Sequence, residues 1–273
     1  MTPEQAEEVI SAGYKALVFE GGEPLLCRDL ETWIKKAVTL GVEDISILTN
    51  GYLLTEDRLK SLLDAGARHF HFNFPACTPR EHSILTGFPG LLERQKSNIA
   101  RAAAVSHETA VLVCVINSIN YMLLPQYIHF AAHNFPGVYY IALNFIKIKG
   151  NVKKRHSLIP KLSKAAECVR KALSAARQHG IACIVDGIPL CLLEGWEPYS
   201  RDADHILRGD TTYMWEKASV KACSDCSLVS ICPGPRKDYV DIYGDSEFSP
   251  SGKDVEPIAR RILSGQLLLN SKD

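Results

Sequence analysis

Three cysteines, Cys223, Cys226 and Cys232, stand in a C-x2-C-x5-C spacing. Thiolates two residues apart can chelate one centre from a single tight turn, and the third returns within a short loop whose exit, Pro233-Gly234-Pro235, is sharp. Three thiolates are one short of a closed tetrathiolate site. Cys191, in Gly187-Ile188-Pro189-Leu190-Cys191, lies in the same irregular stretch and is the fourth candidate. Four such ligands suit a structural zinc or an iron–sulfur cluster, and the spacing leaves these two even. The bland alternative is a set of free thiols, since free cysteine is readily buried. That reading is preferred for the scattered Cys27, Cys77, Cys114, Cys168 and Cys183.

The second group is Gly21-Gly22-Glu23-Pro24, at the end of the short apolar run Ala16-Leu17-Val18-Phe19. Two glycines let backbone approach a ligand closely, Pro24 stiffens the exit, and the Glu23 carboxylate can accept from a ligand ammonium group. A plain tight turn between strand and helix is the competing reading. Glu20, His71 and Asp186 are read first as structural polar groups, with general acid–base work as the alternative. Lys147 and Lys149 flank the end of a later strand and either face a ligand or face solvent.

These groups need elements to position them. Thr2, Pro3 and Gln5 make a capping box that starts a helix ended by Gly13. Strand 16–19 follows, then a helix near 28–40 with Leu30, Trp33, Ile34, Ala37 and Val38 on one face. Strand 44–48 closes on Thr49-Asn50-Gly51, Thr55 caps a helix ended by Gly66, and strand 69–74 leads into a loop and a helix near 90–105. Strand 111–116, helix 124–133, strand 139–145, helix 163–178 and strand 181–185 complete the alternation. Such alternation predicts an α/β fold with a parallel sheet of about six strands, which could be an open sheet or most of a barrel; an incomplete (β/α) barrel is the expectation carried forward. Ligands belong at the C-terminal strand ends, where Gly21 to Pro24, Asn50, Asn73, Asn117 and Asn144 fall. Each Asn alone is more often a turn or cap residue. Residues 1–187 form the barrel portion, and 188–273 a small irregular cysteine-rich region with a helical tail over 254–269.

The 273 residues carry 31 basic and 31 acidic side chains, so no charge excess points to nucleic acid; the basic stretch 147–155 reads as a solvated loop. No apolar run reaches membrane-spanning length and the N-terminus is no signal peptide, which places the chain in the cytoplasm. Nine cysteines, an odd number without a signal peptide, argue against a disulfide framework and for metal or cluster ligation.

Together these residues resemble the radical S-adenosylmethionine (SAM) superfamily. Phe19-Glu20-Gly21-Gly22-Glu23-Pro24-Leu25-Leu26 is similar to its second-strand motif, Leu48-Thr49-Asn50-Gly51 to its third-strand end, and 82–90 (HSILTGFPG) to the loop after its fourth strand. The run Cys223 to Gly244, ending Tyr239-Val240-Asp241-Ile242-Tyr243-Gly244, resembles the auxiliary-cluster module of members with a SPASM or twitch extension. The resemblance implies that Gly21, Gly22 and Glu23, with Pro24, hold the amino group of SAM, and that Asn50, Asn73 and Asn144 reach its ribose or carboxylate. Where the family often has Ser in the fourth strand, this chain has Asn73. Lys147 and Lys149 would face the SAM carboxylate or solvent.

By the same resemblance Cys191, Cys223, Cys226 and Cys232 ligate an auxiliary [4Fe-4S] cluster, which turns the zinc question towards iron. An intact relative makes a 5'-deoxyadenosyl radical to modify a peptide or small organic substrate, reduced by a donor such as ferredoxin or flavodoxin. The departure is the C-x3-C-x2-C motif, which these 273 residues do not contain. The expectation is therefore a truncated, split or internally started reading, inactive alone, with that motif encoded upstream of Met1; true degeneration is the other reading of the missing motif. A non-catalytic iron–sulfur or zinc binding or assembly module is the alternative.

Overall fold

The computed structural model describes residues 7–8, 10–212 and 214–265. The capping box at Thr2 and the tail beyond residue 265 lie outside the described residues. Six parallel strands run in sequence order: β1 (Ala16–Phe19), β2 (Asp44–Thr49), β3 (His69–Asn73), β4 (Ala110–Ile116), β5 (Tyr140–Phe145) and β6 (Cys183–Asp186). The expected α/β class with a parallel sheet of six strands is what the chain forms. The chain divides into two compact units, residues 1–113 with 133–139, and residues 114–132 with 140–273.

In the first unit the strands are joined by α1 (Leu30–Thr39), α2 (Glu56–Ala65), α3 (Pro79–Thr86) and α4 (Leu92–Ala103). Val18 pairs with Ser46, Ile47 with Phe70, and Phe72 with Leu112. Period-two alternation sends Phe70 and Phe72 into the core and leaves Asn73 exposed at the strand end. Thr55 caps α2 by accepting from the Arg58 N–H, as its sequence position predicts. The segment after β3, expected as a loop, contains α3. Its one buried residue is His82, so no apolar stripe announced a helix; Pro79 at its first position and the left-handed Gly87 at its end fix its limits.

The second unit holds α5 (Leu124–Asn134), α6 (Leu162–Gln178), α7 (Arg201–Leu207), α8 (Lys237–Tyr243) and α9 (Val255–Leu263), with 3-10 turns between them. β5 and β6 pair with Ile141 opposite Cys183 and Asn144 opposite Asp186. α6 buries Leu162, Ala165, Val169, Ala172 and Leu173 in a helical stripe. Lys161 precedes it and supplies no side-chain cap. Distant groups do so instead: the Leu162 N–H donates to the Tyr239 hydroxyl at 2.7 Å and the Ser163 N–H to Glu247 at 2.9 Å. Tyr239, 1% exposed, thus ties α8 to the start of α6. The region after residue 187, expected to be irregular, consists largely of such turns and short helices. Among the described residues no helix is long and apolar enough to cross a membrane.

Candidate functional site

In the first unit, Gly21 and Gly22 are exposed with φ of +92° and +58°, left-handed conformations that side chains disfavour. A Cβ built on either glycine meets nothing within 4 Å. The two residues therefore present open backbone at the tip of β1. Glu23 beyond them is bound on both carboxylate oxygens. Oε1 accepts from the Leu25 N–H at 3.1 Å and from the Thr49 hydroxyl at 2.5 Å; Oε2 accepts from the Asn50 N–H at 2.8 Å. Glu23 is thus the cap of its own 3-10 turn, Pro24–Leu26, and the clasp between the tips of β1 and β2.

Asn50 turns its side chain inward, its Oδ1 accepting from the Tyr52 N–H at 3.0 Å, an Asx turn. Asn73 is exposed. The carbonyls of both residues accept from one buried amide: Gln95 Nε2 donates to Asn50 at 2.7 Å and to Asn73 at 2.8 Å. Because that nitrogen serves two carbonyls, Gln95 Oε1 must accept from His82 Nε2, 2.8 Å away. The ring's lone pair then sits on Nδ1, which is buried without a partner among the described residues. Sequence reasoning missed Gln95 as a site residue. Its signal was a polar residue on the buried stripe of α4, with Leu92, Asn98, Ile99 and Ala102.

In the second unit, Cys191, Cys223, Cys226 and Cys232 all line one cavity. Its remaining lining is mostly apolar, including Val220, Leu228, Val229 and Phe248. Burial pushes the Cys191 thiol up to about 11 and raises that of Cys232, and the neighbouring cysteines add to both shifts. The Ser251 N–H donates to Cys226 Sγ at 3.3 Å. Gly234 must be glycine, because a Cβ there would lie 2.2 Å from the Ala218 carbonyl oxygen. That close approach, sealed by the Ala218 N–H to Pro235 carbonyl bond of 2.8 Å, returns Cys232 to the cavity. Among the described residues no three His, Cys, Asp or Glu side chains converge on a single metal ion. Cys27, Cys77, Cys114, Cys168 and Cys183 form no disulfide and lie away from this cavity's lining; burial pushes Cys183 up to about 12.

The other expected rim residues divide. Asn117 is a turn residue, bonded to Val115 and Ile119 backbone. Asn144 Oδ1 is buried without a hydrogen-bond partner among the described residues. Glu20 is exposed and His71 half-buried. Lys147 and Asp186 line a second cavity, at the carboxyl ends of β5 and β6. Lys149 pairs with Glu216, which also pairs with the buried Arg236.

Hydrogen bonds from Lys149 and Arg236 outweigh the cost of burial and hold Glu216 down at about 2. A depressed carboxylate contributes stability above its ordinary pKa and loses it as pH falls through the folded value. Urea unfolding should therefore show the advantage of wild type over Glu216→Gln shrinking between about pH 4.5 and pH 2; a constant difference would contradict the pairing. Gln95→Leu strands two carbonyls and the His82 N–H, a loss on the order of 3 kcal/mol. Gln95→Glu cannot restore it, because a carboxylate donates no hydrogen bond. Denaturant midpoints at unchanged slope check both.

Residues 1–131 match the sequence model of the Radical SAM superfamily. The GTP 3',8-cyclase of Tolumonas auensis is 32% identical over 117 residues, 42% of this chain and 34% of that protein. The probable GTP 3',8-cyclase of Methanocaldococcus jannaschii is 31% identical over 157 residues, 56% of this chain and 51% of that protein. The chain thus spans about half, or less, of the length of these curated relatives. Among solved structures, Streptococcus suis SuiB bound to S-adenosylmethionine superposes with a TM-score of 0.60 at 14% identity, over 92% of this chain and 70% of that one. SuiB bound to the precursor peptide SuiA gives 0.61 at 13%, over 92% and 69%. These two likenesses establish the fold. Over residues 1–131, the chain is similar to the Radical SAM superfamily.

Proposed function

We propose that this chain is the SAM-holding and auxiliary-cluster portion of a radical SAM enzyme. The observation that carries the reading is the convergence of four thiols on one cavity, three of them from a single loop. Cys191, Cys223, Cys226 and Cys232 would ligate a [4Fe-4S] cluster in a SPASM- or twitch-like region, residues 188–273. The donor set fits: four thiols, an apolar wall and a backbone N–H aimed at one sulfur. A cluster, being larger than one ion, accepts thiolates spread around a wider ring, whereas tetrahedral zinc draws them together.

Residues of the first unit bind rather than react. Gly21 and Gly22 offer exposed backbone, and Glu23 Oε2, with one chain donor, keeps capacity for the SAM ammonium group. Asn50 would act through backbone, since its side chain is spent on its own turn. Asn73 offers an exposed amide; in the second unit, taken by itself, the orphaned Asn144 Oδ1 can accept a hydrogen bond from a ligand. When bound beside a catalytic cluster, SAM supplies hydrogen-atom abstraction. The 273 residues contain no C-x3-C-x2-C run, so no SAM cleavage is assigned to them. A peptide or small organic substrate fits the fold shared with SuiB, with ferredoxin or flavodoxin as reductant in the cytoplasm.

Anaerobic reconstitution followed by iron, sulfide and zinc analysis tests the assignment. About four irons per chain are expected, with broad visible absorption lost or bleached in Cys191→Ser. Zinc alone, persisting through iron reconstitution, would instead identify a structural metal module.

A further inference from the structure

The cavity at the carboxyl ends of β5 and β6 is lined by charges of both signs. It opens to solvent. Lys147, Asp186, Arg201, Asp202, Lys217 and Arg236 line it, with Phe145 as an apolar surface.

Two ion pairs make its wall. Lys217 Nζ lies 3.0 Å from Asp202, with the side chains 6% and 12% exposed. The Gly187 N–H donates to the same Asp202 oxygen at 3.0 Å, anchoring the tip of β6. Arg236 and Glu216, each 7% exposed, form the second pair. Burying charge is costly even when it is paired, and these pairs are already in place, so the wall needs no reordering to receive a ligand.

Asp186 differs from them. It is the last residue of β6, and among the described residues its carboxylate has no hydrogen bond or ion pair. Burial, then the nearby Asp202, holds its carboxyl above the usual range, while Lys217, Lys147 and Arg201 oppose that shift. Arg201, exposed at the start of α7, engages His205 through Nε at 3.2 Å, which leaves its terminal nitrogens facing outward from that bond. An apolar guest would leave these groups unsatisfied. A polyanion would meet the carboxylates of Asp186 and Asp202. The surface asks for a guest that carries both signs.

We propose that this cavity binds a free α-amino acid, its ammonium group on Asp186 and its carboxylate on Arg201. The site is independent of Glu23 and of the four cysteines. Calorimetric titration of the full chain with each of the common L-amino acids tests it, with inorganic phosphate as the anion-only comparator. At least one amino acid should bind. Asp186→Asn and Arg201→Ala should each weaken binding by about tenfold or more, the loss of one charged hydrogen bond, with thermal melting unchanged. Glu23→Gln should leave this binding as it is, which separates the site from the SAM reading. The proposal is overturned if no amino acid binds the folded chain, if binding survives both substitutions, or if phosphate competes and binds Asp186→Asn more tightly than wild type.

Discussion

The Glu23 carboxylate is the constraint on which the first unit's site depends. A carboxylate offers about four acceptor positions, and three are filled by the chain itself: the Leu25 N–H, the Thr49 hydroxyl and the Asn50 N–H. These bonds clasp the tips of two neighbouring parallel strands. They also start the 3-10 turn that carries the chain away from β1. With that turn fixed, Gly21 and Gly22 are held as exposed, left-handed backbone. Loss of the carboxylate would free the turn and the tip together, so holding and presenting are one function here.

Other strand tips are fastened by the same device with different chemistry. Gln95, reaching from α4, donates to the end of β2 and the end of β3. Asp202, on α7, accepts from the Gly187 N–H just past β6 while pairing with Lys217. Parallel strands leave backbone groups unpaired where they stop, and each must find a partner. Polar side chains sent in from helices supply those partners. The residues that could recognise ligands are therefore set on fixed strand ends, with the loops beyond them free to differ.

What could be read from the sequence was local. Gly21-Gly22-Glu23 and C-x2-C-x5-C are contiguous strings whose chemistry follows from spacing, and the helices announced themselves by apolar stripes and caps such as Thr55. Cys191 was within reach because it sits in the same irregular region as its partners. The role of Glu23 as a clasp was not legible, since Thr49 and Asn50 lie more than twenty residues away. Gln95 and His82 escaped for the same reason, and α3 escaped because it buries a histidine instead of an apolar face. The Lys217–Asp202 and Arg236–Glu216 pairs join residues 15 and 20 positions apart, with no periodicity to reveal them.

The most direct test of the account is where SAM touches the first unit. Amide chemical shifts of the chain, followed while SAM is added anaerobically, should move at Gly21, Gly22 and Asn50, and Glu23→Gln should suppress the change. Shifts elsewhere with these three unmoved, or an unchanged response in Glu23→Gln, would contradict the assignment of this strand tip to the amino end of SAM.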